Sequence, residues 1–461
     1  MRTETDSLGK IEIPDNSLYG VHSARALENF PLGDKKVDID FIKSYAKVKK
    51  AAGFANMNCK LLDEDKFNAI DKACDEIILG NHYKEFVVHA LSGGAGTSLN
   101  MNLNEVIANR ALQILGRQPG NYDIIHPVNH VNLSQSTNDT YPTALKITLI
   151  FIIRQLHEKL ERLQDAFQQK EAEFYGYVKM GRTQLQDAVP ITLGMEFSAY
   201  SEAISRDRWR LYKMEERLRY VNIGGTAVGT GLNATKKYQF IITEKLREIT
   251  GIGIARPENL IDVTQNADVF VEVSGLLKSC AVSMNKIAND LRLLASGPKC
   301  GFSEIKLPAV QLGSSIMPYK INPVIAEAVN QVCFNVFGND VKITAAAAAG
   351  QLELNAFLPV IADSLIESIK LLTNAAIIFR EKCILGIEAN VEHMRENVHN
   401  SLGVATVFVP QIGYENAGKV VKHAMDLGIS VKKAVVDLGL LDQPKVDEIF
   451  ENLANLLKPG T

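Results

Sequence analysis

The residues most capable of chemistry in this sequence lie in one segment, residues 313–323, with the sequence GSSIMPYKINP. It carries two hydroxyls, Ser314 and Ser315, the ammonium of Lys320 and the amide of Asn322. Glycine loosens the backbone and the prolines restrict it, so we predict an ordered loop between two long helices. Asn322 before a proline predicts a helix that begins with an N-cap side chain and then proline. Such a helix start favours a small carboxylate, although the segment could also be only a capped turn.

Three other polar segments precede helical patterns and share this design. They are residues 93–98 (GGAGTS), 134–139 (SQSTND) and 181–187 (GRTQLQD). Each places hydroxyls and amides at the expected start of a helix, so the four segments together predict a convergent site for a small dicarboxylate. Ser, Thr, Asn and Asp are also ordinary helix caps, and each segment alone could do no more than cap its helix.

Composition and charge exclude several classes of protein. Lys plus Arg is 50 and Asp plus Glu is 53, and the net charge of −3 argues against a nucleic-acid partner. The N-terminus lacks the apolar run of a secretory signal, and no uncharged apolar run is long enough to span a membrane. The six cysteines form no C-x-x-C pair and the nine histidines show no metal spacing. We therefore expect a cytoplasmic, soluble protein without a resident metal.

Two glycine-rich segments and one histidine give weaker signals. Residues 93–96 fit no P-loop or dinucleotide-binding motif and follow no strand pattern. Residues 224–231 could cradle a phosphate, but they also follow no strand pattern, which favours a packing turn. His130 could be a base or a ligand, but a hydrogen-bonded structural histidine is the commoner case.

Helical periodicity covers most of the chain after residue 40. The predicted helical segments are 41–80, 99–116, 140–175, 190–220, 262–295, 323–349 and 358–380. Residues 262–295 carry apolar or small residues on more than one face, which indicates burial on several sides and hence a homo-oligomer. The pattern shortens after about residue 390. We predict an N-terminal domain at 1–139, a long-helix domain at 140–392 and a small helical domain at 393–461.

Taken together, these segments resemble the aspartase/fumarase superfamily over nearly the whole chain. Residues 313–323 fit every fixed position of its signature, G-S-S-x-M-P-x-K-x-N-P, and residues 97–102, 130–139 and 181–188 match further blocks. The resemblance implies a mainly α, three-domain lyase fold with a central bundle of long helices. It also implies a homotetramer whose active sites are each shared by three subunits, with no cofactor.

The resemblance also assigns roles to individual residues. Ser314 matches the base that removes a proton from C3 of the substrate, and Lys320 and Asn322 match the groups that stabilise the resulting aci-carboxylate. The other matching positions bind substrate: Thr97, Ser98, Ser136, Thr137, Asn138, Thr183 and Gln184.

The substrate follows from one of these positions. Hydratases of the superfamily normally carry histidine where this chain has Gln184, so the resemblance implies reversible elimination of ammonia from L-aspartate to give fumarate. The alternatives are a fumarate hydratase, a lyase for another succinyl or amino-substituted compound, and a non-catalytic helical scaffold. Intact Ser314, Lys320, Asn322 and Thr183 argue against the scaffold. Tyr319 stands where a small residue is usual, and it could reshape the pocket.

Overall fold

The computed structural model describes residues 1–457, most of them in helices. The chain divides into two compact units, each built from three separate stretches. Unit 1 comprises Met1–His157, Trp209–Ser279 and Phe334–Leu372. Unit 2 comprises Glu158–Arg208, Cys280–Cys333 and the chain from Thr373 onward. The predicted division at residues 139 and 392 stays a prediction.

The elements follow one another along the chain with few strands. The helices are α1 Val21–Asn29, α2 Ile39–Asn58, α3 Glu64–Ile78, α4 Thr97–Ile114, α5 Thr137–Glu173, α6 Leu193–Leu218, α7 Lys236–Thr250, α8 Leu260–Gln265, α9 Asp268–Leu294, α10 Val324–Ala348, α11 Leu358–Lys382, α12 Val391–Asn400, α13 Val409–Ile412, α14 Tyr414–Leu427, α15 Val431–Asp437, α16 Gln443–Glu451 and α17 Leu453–Leu456. The strands are β1 Arg2–Asp6, β2 Gly9–Ile13, β3 Val178–Thr183, β4 Gln186–Thr192, β5 Ile305–Lys306 and β6 Glu388–Ala389, and they pair as three antiparallel hairpins or ladders.

The long helices confirm the predicted mainly α fold. Helix α5 has 37 residues, α9 has 27, and α10 and α11 have 25 each. In α5 the apolar residues that recur every three or four positions, Leu145 to Phe167, are buried as the periodicity predicts. Each fully buried leucine or phenylalanine contributes about 1.5–3 kcal/mol relative to an exposed one. Among the described residues, no helix is both long and apolar enough to cross a membrane.

The segment 262–295 is not one helix as its apolar pattern suggested. Helix α8 ends at Gln265, and Asn266 adopts an extended conformation before α9 begins at Asp268. Asn266 donates from its side chain to Asp262 Oδ1 at 2.7 Å and from its backbone to the Asp262 carbonyl at 3.0 Å. The break between α8 and α9 is therefore a change in the backbone conformation of one residue, which the periodicity of apolar side chains does not register.

The segment 181–187 was also predicted wrongly as a loop before a helix at Pro190. Strands β3 and β4 form an antiparallel hairpin in which Thr183 pairs with Gln186, and α6 begins only at Leu193. Gln184 and Leu185 form its two-residue turn with φ values of 54° and 62°. Two positive φ values are what a type I′ hairpin turn requires. Glycine and asparagine usually supply them, so Gln-Leu gave no hairpin signal.

Candidate active site

The predicted site residues fall in both units. Unit 1 holds Thr97, Ser98, Ser136, Thr137 and Asn138, and unit 2 holds Thr183, Gln184, Ser314, Lys320 and Asn322.

In unit 1, Ser136 and Asp139 cap the start of α5 reciprocally. The Ser136 hydroxyl accepts from the Asn138 N–H at 3.2 Å, and Asp139 Oδ1 accepts from the Ser136 N–H at 3.0 Å. This is a capping box, which satisfies two backbone donors that a helix start otherwise leaves unpaired. Thr137 is the first residue of the helix and is buried. The expectation that this segment leads into a helix is confirmed.

The glycine-rich segment 224–231 packs against this helix start. Asp139 Oδ2 accepts from the N–H groups of Gly224 and Thr226 at 3.1 and 3.0 Å. The Asn138 side-chain amide donates to the Ala227 carbonyl at 2.8 Å. The segment therefore acts as a packing turn that holds the backbone around Ser136 and Asn138.

The first turns of α4 and α5 are joined through one tyrosine. The Tyr45 hydroxyl lies 3.0 Å from Asn100 Oδ1 and 2.8 Å from Thr140 Oγ1. Asn100 lies one turn after Thr97, and Thr140 donates to the Ser136 carbonyl at 2.8 Å. Tyr45 is completely buried, so this link fixes the Thr97 turn relative to the Ser136 turn.

The hydroxyl of Thr97 turns back on its own loop. Helix α4 begins at Thr97, and Thr97 Oγ1 donates to the Gly94 carbonyl at 2.7 Å. Gly96 precedes it with φ 92°, and a Cβ on Gly96 would lie 2.2 Å from the Tyr141 ring. Gly96 thus serves a close approach to Tyr141. Ser98 is half-buried in the first turn of the helix.

A buried lysine supports the same segment, and the sequence analysis missed it. Lys49 has no exposed surface, and its ammonium donates to Asn132 Oδ1 at 2.9 Å and to Gln135 Oε1 at 3.0 Å. Burial lowers the pKa of Lys49 to about 7, and the charge of Asp139 opposes this shift. Its only sequence signal was its position seven residues after Ile42 and four after Tyr45, on the apolar face of α2.

The buried Asp139 predicts a particular dependence of stability on pH. Burial raises the pKa of Asp139 to about 6, against the lowering effects of three N–H bonds and the charge of Lys49. The raised pKa means that Asp139 stabilises the folded state fully below about pH 4 and loses this contribution as the pH rises through 6. The loss amounts to about 3 kcal/mol.

We therefore compare wild type with Asp139→Asn by urea unfolding between pH 4 and pH 7. The unfolding free energy of wild type minus that of the variant is expected to fall by about 3 kcal/mol over this range. A difference that stays constant, or rises, with pH would contradict the raised pKa.

In unit 2, residues 313–322 form a closed loop, as predicted. The Gly313 N–H donates to the Lys320 carbonyl at 2.7 Å, and the Asn322 side-chain amide donates to the Gly313 carbonyl at 2.8 Å. The Ser314 hydroxyl accepts from the N–H groups of Ile316 and Met317 at 3.2 and 3.0 Å. Ser314 is thus held at the start of a tight turn inside the loop.

Asn322 does not cap the helix in the predicted way. Helix α10 begins at Val324, so Pro323 is not its first helical residue. The Val324 N–H donates to the Asn322 backbone carbonyl at 2.9 Å, while the Asn322 side chain closes the loop at Gly313. Gly313 and Asn322 lie so close together that a Cβ on Gly313 would not fit. The Asn322 side chain therefore reaches the Gly313 carbonyl and closes the loop.

The outer side of this loop is exposed and apolar. Ile316 is 84% exposed and Tyr319 is 92% exposed, and Leu312 also faces solvent. Contiguous exposed apolar side chains usually mark a binding surface. Tyr319 has φ 59°, a left-handed conformation that glycine adopts at no cost. Glycine would therefore suit this position better than Tyr319 does.

Thr183 and Gln184 lie exposed at the tip of the β3–β4 hairpin. Below the tip, Arg182 NH1 lies 2.8 Å from Glu304 Oε1. Within residues 1–457 no three His, Cys, Asp or Glu side chains are grouped closely enough to hold a metal ion.

The sequence and the structure together define the family. A model of the lyase family matches residues 9–338, and a model of the fumarase C C-terminus matches residues 404–456. The chain belongs to the aspartase/fumarase superfamily of lyases.

Its relatives include enzymes named for one reaction. It is 49% identical to the aspartate ammonia-lyase of Bacillus sp. over 460 residues, covering 100% of this chain and 98% of that protein. It is 46% identical to the aspartate ammonia-lyase of Escherichia coli K12, covering 100% of this chain and 97% of that protein.

Two solved structures share the fold. A cobalt-bound fumarate lyase:delta crystallin from Brucella melitensis has a TM-score of 0.96 and 47% identity, with 99% of this chain and 100% of that chain covered. A class II fumarase from Schistosoma mansoni has a TM-score of 0.94 and 34% identity, with both chains covered fully.

Proposed function

We propose that this protein catalyses the reversible elimination of ammonia from L-aspartate to give fumarate. The observation that carries the proposal is identity of 46–49% over the full chain to several aspartate ammonia-lyases, against 34% to a fumarase. Gln184 at the hairpin tip supports the same choice, because hydratases of the superfamily normally place histidine there. The intact 313–323 signature supplies the catalytic groups.

The reaction requires removal of a weakly acidic proton from C3 of aspartate. The barrier falls when the neighbouring carboxylate is held as a dianionic aci-carboxylate by donors already in position. Lys320 supplies an ammonium for this charge, and Asn322 supplies an amide N–H. The Asn322 amide has two N–H bonds, and the one to Gly313 uses only one of them.

Ser314 is proposed as the base. A serine hydroxyl removes a proton only if its alkoxide is stabilised. The two N–H groups of Ile316 and Met317 that already point at the Ser314 oxygen supply such stabilisation. Closure of the loop over substrate would exclude water and strengthen these bonds. After the proton leaves C3, electrons flow from the aci-carboxylate to expel ammonia and form the double bond of fumarate.

The remaining predicted residues are proposed to bind the second carboxylate and the amino group. They are Thr97, Ser98, Ser136, Thr137, Asn138, Thr183 and Gln184. No cofactor takes part in this scheme. A cytoplasmic location belongs to the same proposal, and all six cysteines are free thiols, as is usual in a reducing compartment.

One comparative assay tests the function. Fumarate formed from L-aspartate, L-malate and argininosuccinate is followed by its absorbance under identical conditions. The proposal requires that aspartate be the best substrate by at least tenfold in kcat/KM. Malate as the best substrate would instead identify a hydratase, and no turnover of any of the three would favour a scaffold.

Gln184→His is expected not to convert the enzyme into an efficient fumarase. One side chain at a hairpin tip changes the local polarity, but activating a water molecule also depends on the surrounding loops. Malate dehydration by the variant should stay at least tenfold below the wild-type rate of aspartate deamination. Malate turnover that reaches the wild-type aspartate rate would show that this one residue decides the reaction.

We also propose a homotetramer, in which subunits share active sites. Phe334 is 57% exposed and Val341 is 68% exposed, seven residues apart on one face of α10. An exposed apolar stripe on a long helix indicates that another helix covers it. Light scattering is expected to give a mass near four times 50.7 kDa, and Phe334→Glu with Val341→Glu should lower it. A stable wild-type monomer at micromolar concentration would contradict the shared-site scheme.

A further inference from the structure

A buried ionic cluster lies below the β3–β4 hairpin in unit 2. Glu304 has no exposed surface, and its two carboxylate oxygens contact two different cations. Oε1 lies 2.8 Å from Arg182 NH1, and Oε2 lies 2.7 Å from Lys179 Nζ. The second contact is an ion pair without hydrogen-bond geometry. Lys179 also donates to Glu196 Oε2 at 2.8 Å, so the four charges cancel.

The backbone of Glu304 is fixed independently of its side chain. Its N–H donates to the Leu294 carbonyl at 2.9 Å, and its carbonyl accepts from the Asn390 N–H at 2.9 Å. The residue is followed at once by β5, which pairs with β6. The backbone of Glu304 is therefore held by hydrogen bonds on both sides, so its carboxylate can set the position of a side chain that binds to it.

That side chain is Arg182, which directly precedes Thr183. Its guanidinium lies over the Phe302 ring at 4.3 Å while NH1 contacts Glu304. On the opposite strand, Asp187 Oδ2 accepts from the Ser401 hydroxyl at 2.9 Å, and Asp187 pairs with Arg182 across the hairpin. The exposed turn at Gln184 is thus held from both strands immediately below it.

A cluster of this kind is poorly explained by stability alone. Buried ion pairs lose much of their attraction to desolvation, and apolar residues of similar size often stabilise a fold as well. A guanidinium stacked on a ring and bound at one end is instead strongly directional. This directional contact fixes Arg182, the residue next to Thr183. Thr183 binds substrate in the function proposed above.

We propose that Glu304 is a positioning residue for substrate: through Arg182 it fixes the hairpin tip that presents Thr183 and Gln184. This inference rests on the proposed function for the role of those two residues. Because the hairpin tip contacts the substrate already in the ground state, a displaced tip should weaken binding of the ground state and of the transition state to a similar extent. Such a loss raises KM and leaves kcat nearly unchanged.

The test uses Glu304→Gln in the full-length protein. KM for aspartate is expected to rise about tenfold, as for one weakened polar contact, with kcat within threefold of wild type. The dissociation constant of succinate, a dicarboxylate without a leaving group, should rise in parallel. Hydrogen exchange at the Thr183 and Gln186 amides should become faster, and this readout does not depend on turnover.

Four further variants separate positioning from a general loss of stability. Phe379 in unit 2 is also fully buried and packs edge-on against Phe167 at 6.3 Å, so Phe379→Leu should lower the melting temperature and leave KM within twofold. Arg182→Gln should raise KM as Glu304→Gln does, and the double variant should raise it no further. If Glu304→Gln does not fold, Glu304→Asp, which keeps the charge, is measured in its place and judged by the same criteria.

Each outcome decides the inference. KM within twofold of wild type in the folded Glu304 variant overturns it, whatever the exchange shows. So does an equal KM rise in Phe379→Leu, or single effects of Arg182→Gln and Glu304→Gln that multiply in the double variant. If wild type does not turn over aspartate, the proposed function fails, and succinate binding together with hydrogen exchange then judges the positioning role alone.

Discussion

Ser314→Ala is expected to lower kcat about a thousandfold, equivalent to about 4 kcal/mol, and to leave aspartate affinity nearly intact. Proton abstraction occurs only in the transition state, so loss of the base appears in kcat rather than in ground-state binding. The structure sharpens this expectation, because the Ser314 oxygen accepts N–H bonds at 3.2 and 3.0 Å. The variant leaves those donors without a partner at the loop surface, where water can replace it.

Ser315→Ala is the matched control for this prediction. Ser315 lies in the same exposed loop, and its loss should cost on the order of 1 kcal/mol, as for an ordinary hydrogen bond. Steady-state kinetics and direct aspartate binding are measured on both variants. If Ser314→Ala retains more than about a tenth of wild-type kcat, a loss below about 1.4 kcal/mol, then Ser314 is not the base. Another group would then have to remove the proton.

Gly96→Ala is expected to destabilise unit 1 by about 3 kcal/mol or more and to abolish most activity. The new Cβ would lie 2.2 Å from the Tyr141 ring. Tyr141 is buried and packs edge-on against Phe41 at 4.9 Å, so its ring cannot move aside easily. Overpacking of a core costs about 1–3 kcal/mol, and a left-handed alanine adds about 1–2 kcal/mol. The shift of the loop would displace Thr97.

Gly116→Ala separates the two causes. Gly116 also has a positive φ, 70°, but a Cβ there would meet nothing within 4 Å. Its substitution should therefore cost only the backbone term, about 1–2 kcal/mol, and should leave kcat unchanged. Thermal unfolding and aspartate deamination are measured for both. Equal losses of stability in the two variants would contradict the role given to the Tyr141 contact.

The periodicity of apolar residues predicted the long helices well, because each helix buries one face along many turns. The 37 residues of α5 give many repeats of one pattern, so local irregularities do not obscure it. The same method failed where one residue decides the structure. Asn266 separates α8 from α9 by its extended backbone, and the Gln184-Leu185 turn takes its positive φ values without glycine.

The sequence predicted which residue types form the candidate site. It did not predict the buried side chains that hold those residues in place. The polar segments and the signature at 313–323 identified the hydroxyls, the ammonium and the amide. Lys49 and Glu304 were missed because their partners lie far along the chain: Lys49 and Asn132 are 83 residues apart, and Arg182 and Glu304 are 122 residues apart. Lys49 gave one local sign, a charged residue on the apolar face of α2, and Glu304 gave none. The predicted N-cap role of Asn322 was wrong for a related reason. The partner of its side chain, Gly313, lies at the other end of the loop.

The interleaving of the two units has a consequence for how the protein is synthesised. The first stretch of unit 1 ends at His157, but the unit is complete only when Leu372 has been added. At about 5–20 residues per second, the ribosome needs on the order of 10–40 seconds for the intervening chain. During that interval the hydrogen-bond partners of two lysines are still to be synthesised: Asp363 for Lys35, and the Tyr220 carbonyl for Lys146. Slow codons between residues 157 and 372 therefore prolong the exposure of unfinished helix faces to chaperones and proteases, whereas slow codons after residue 372 leave unit 1 already complete.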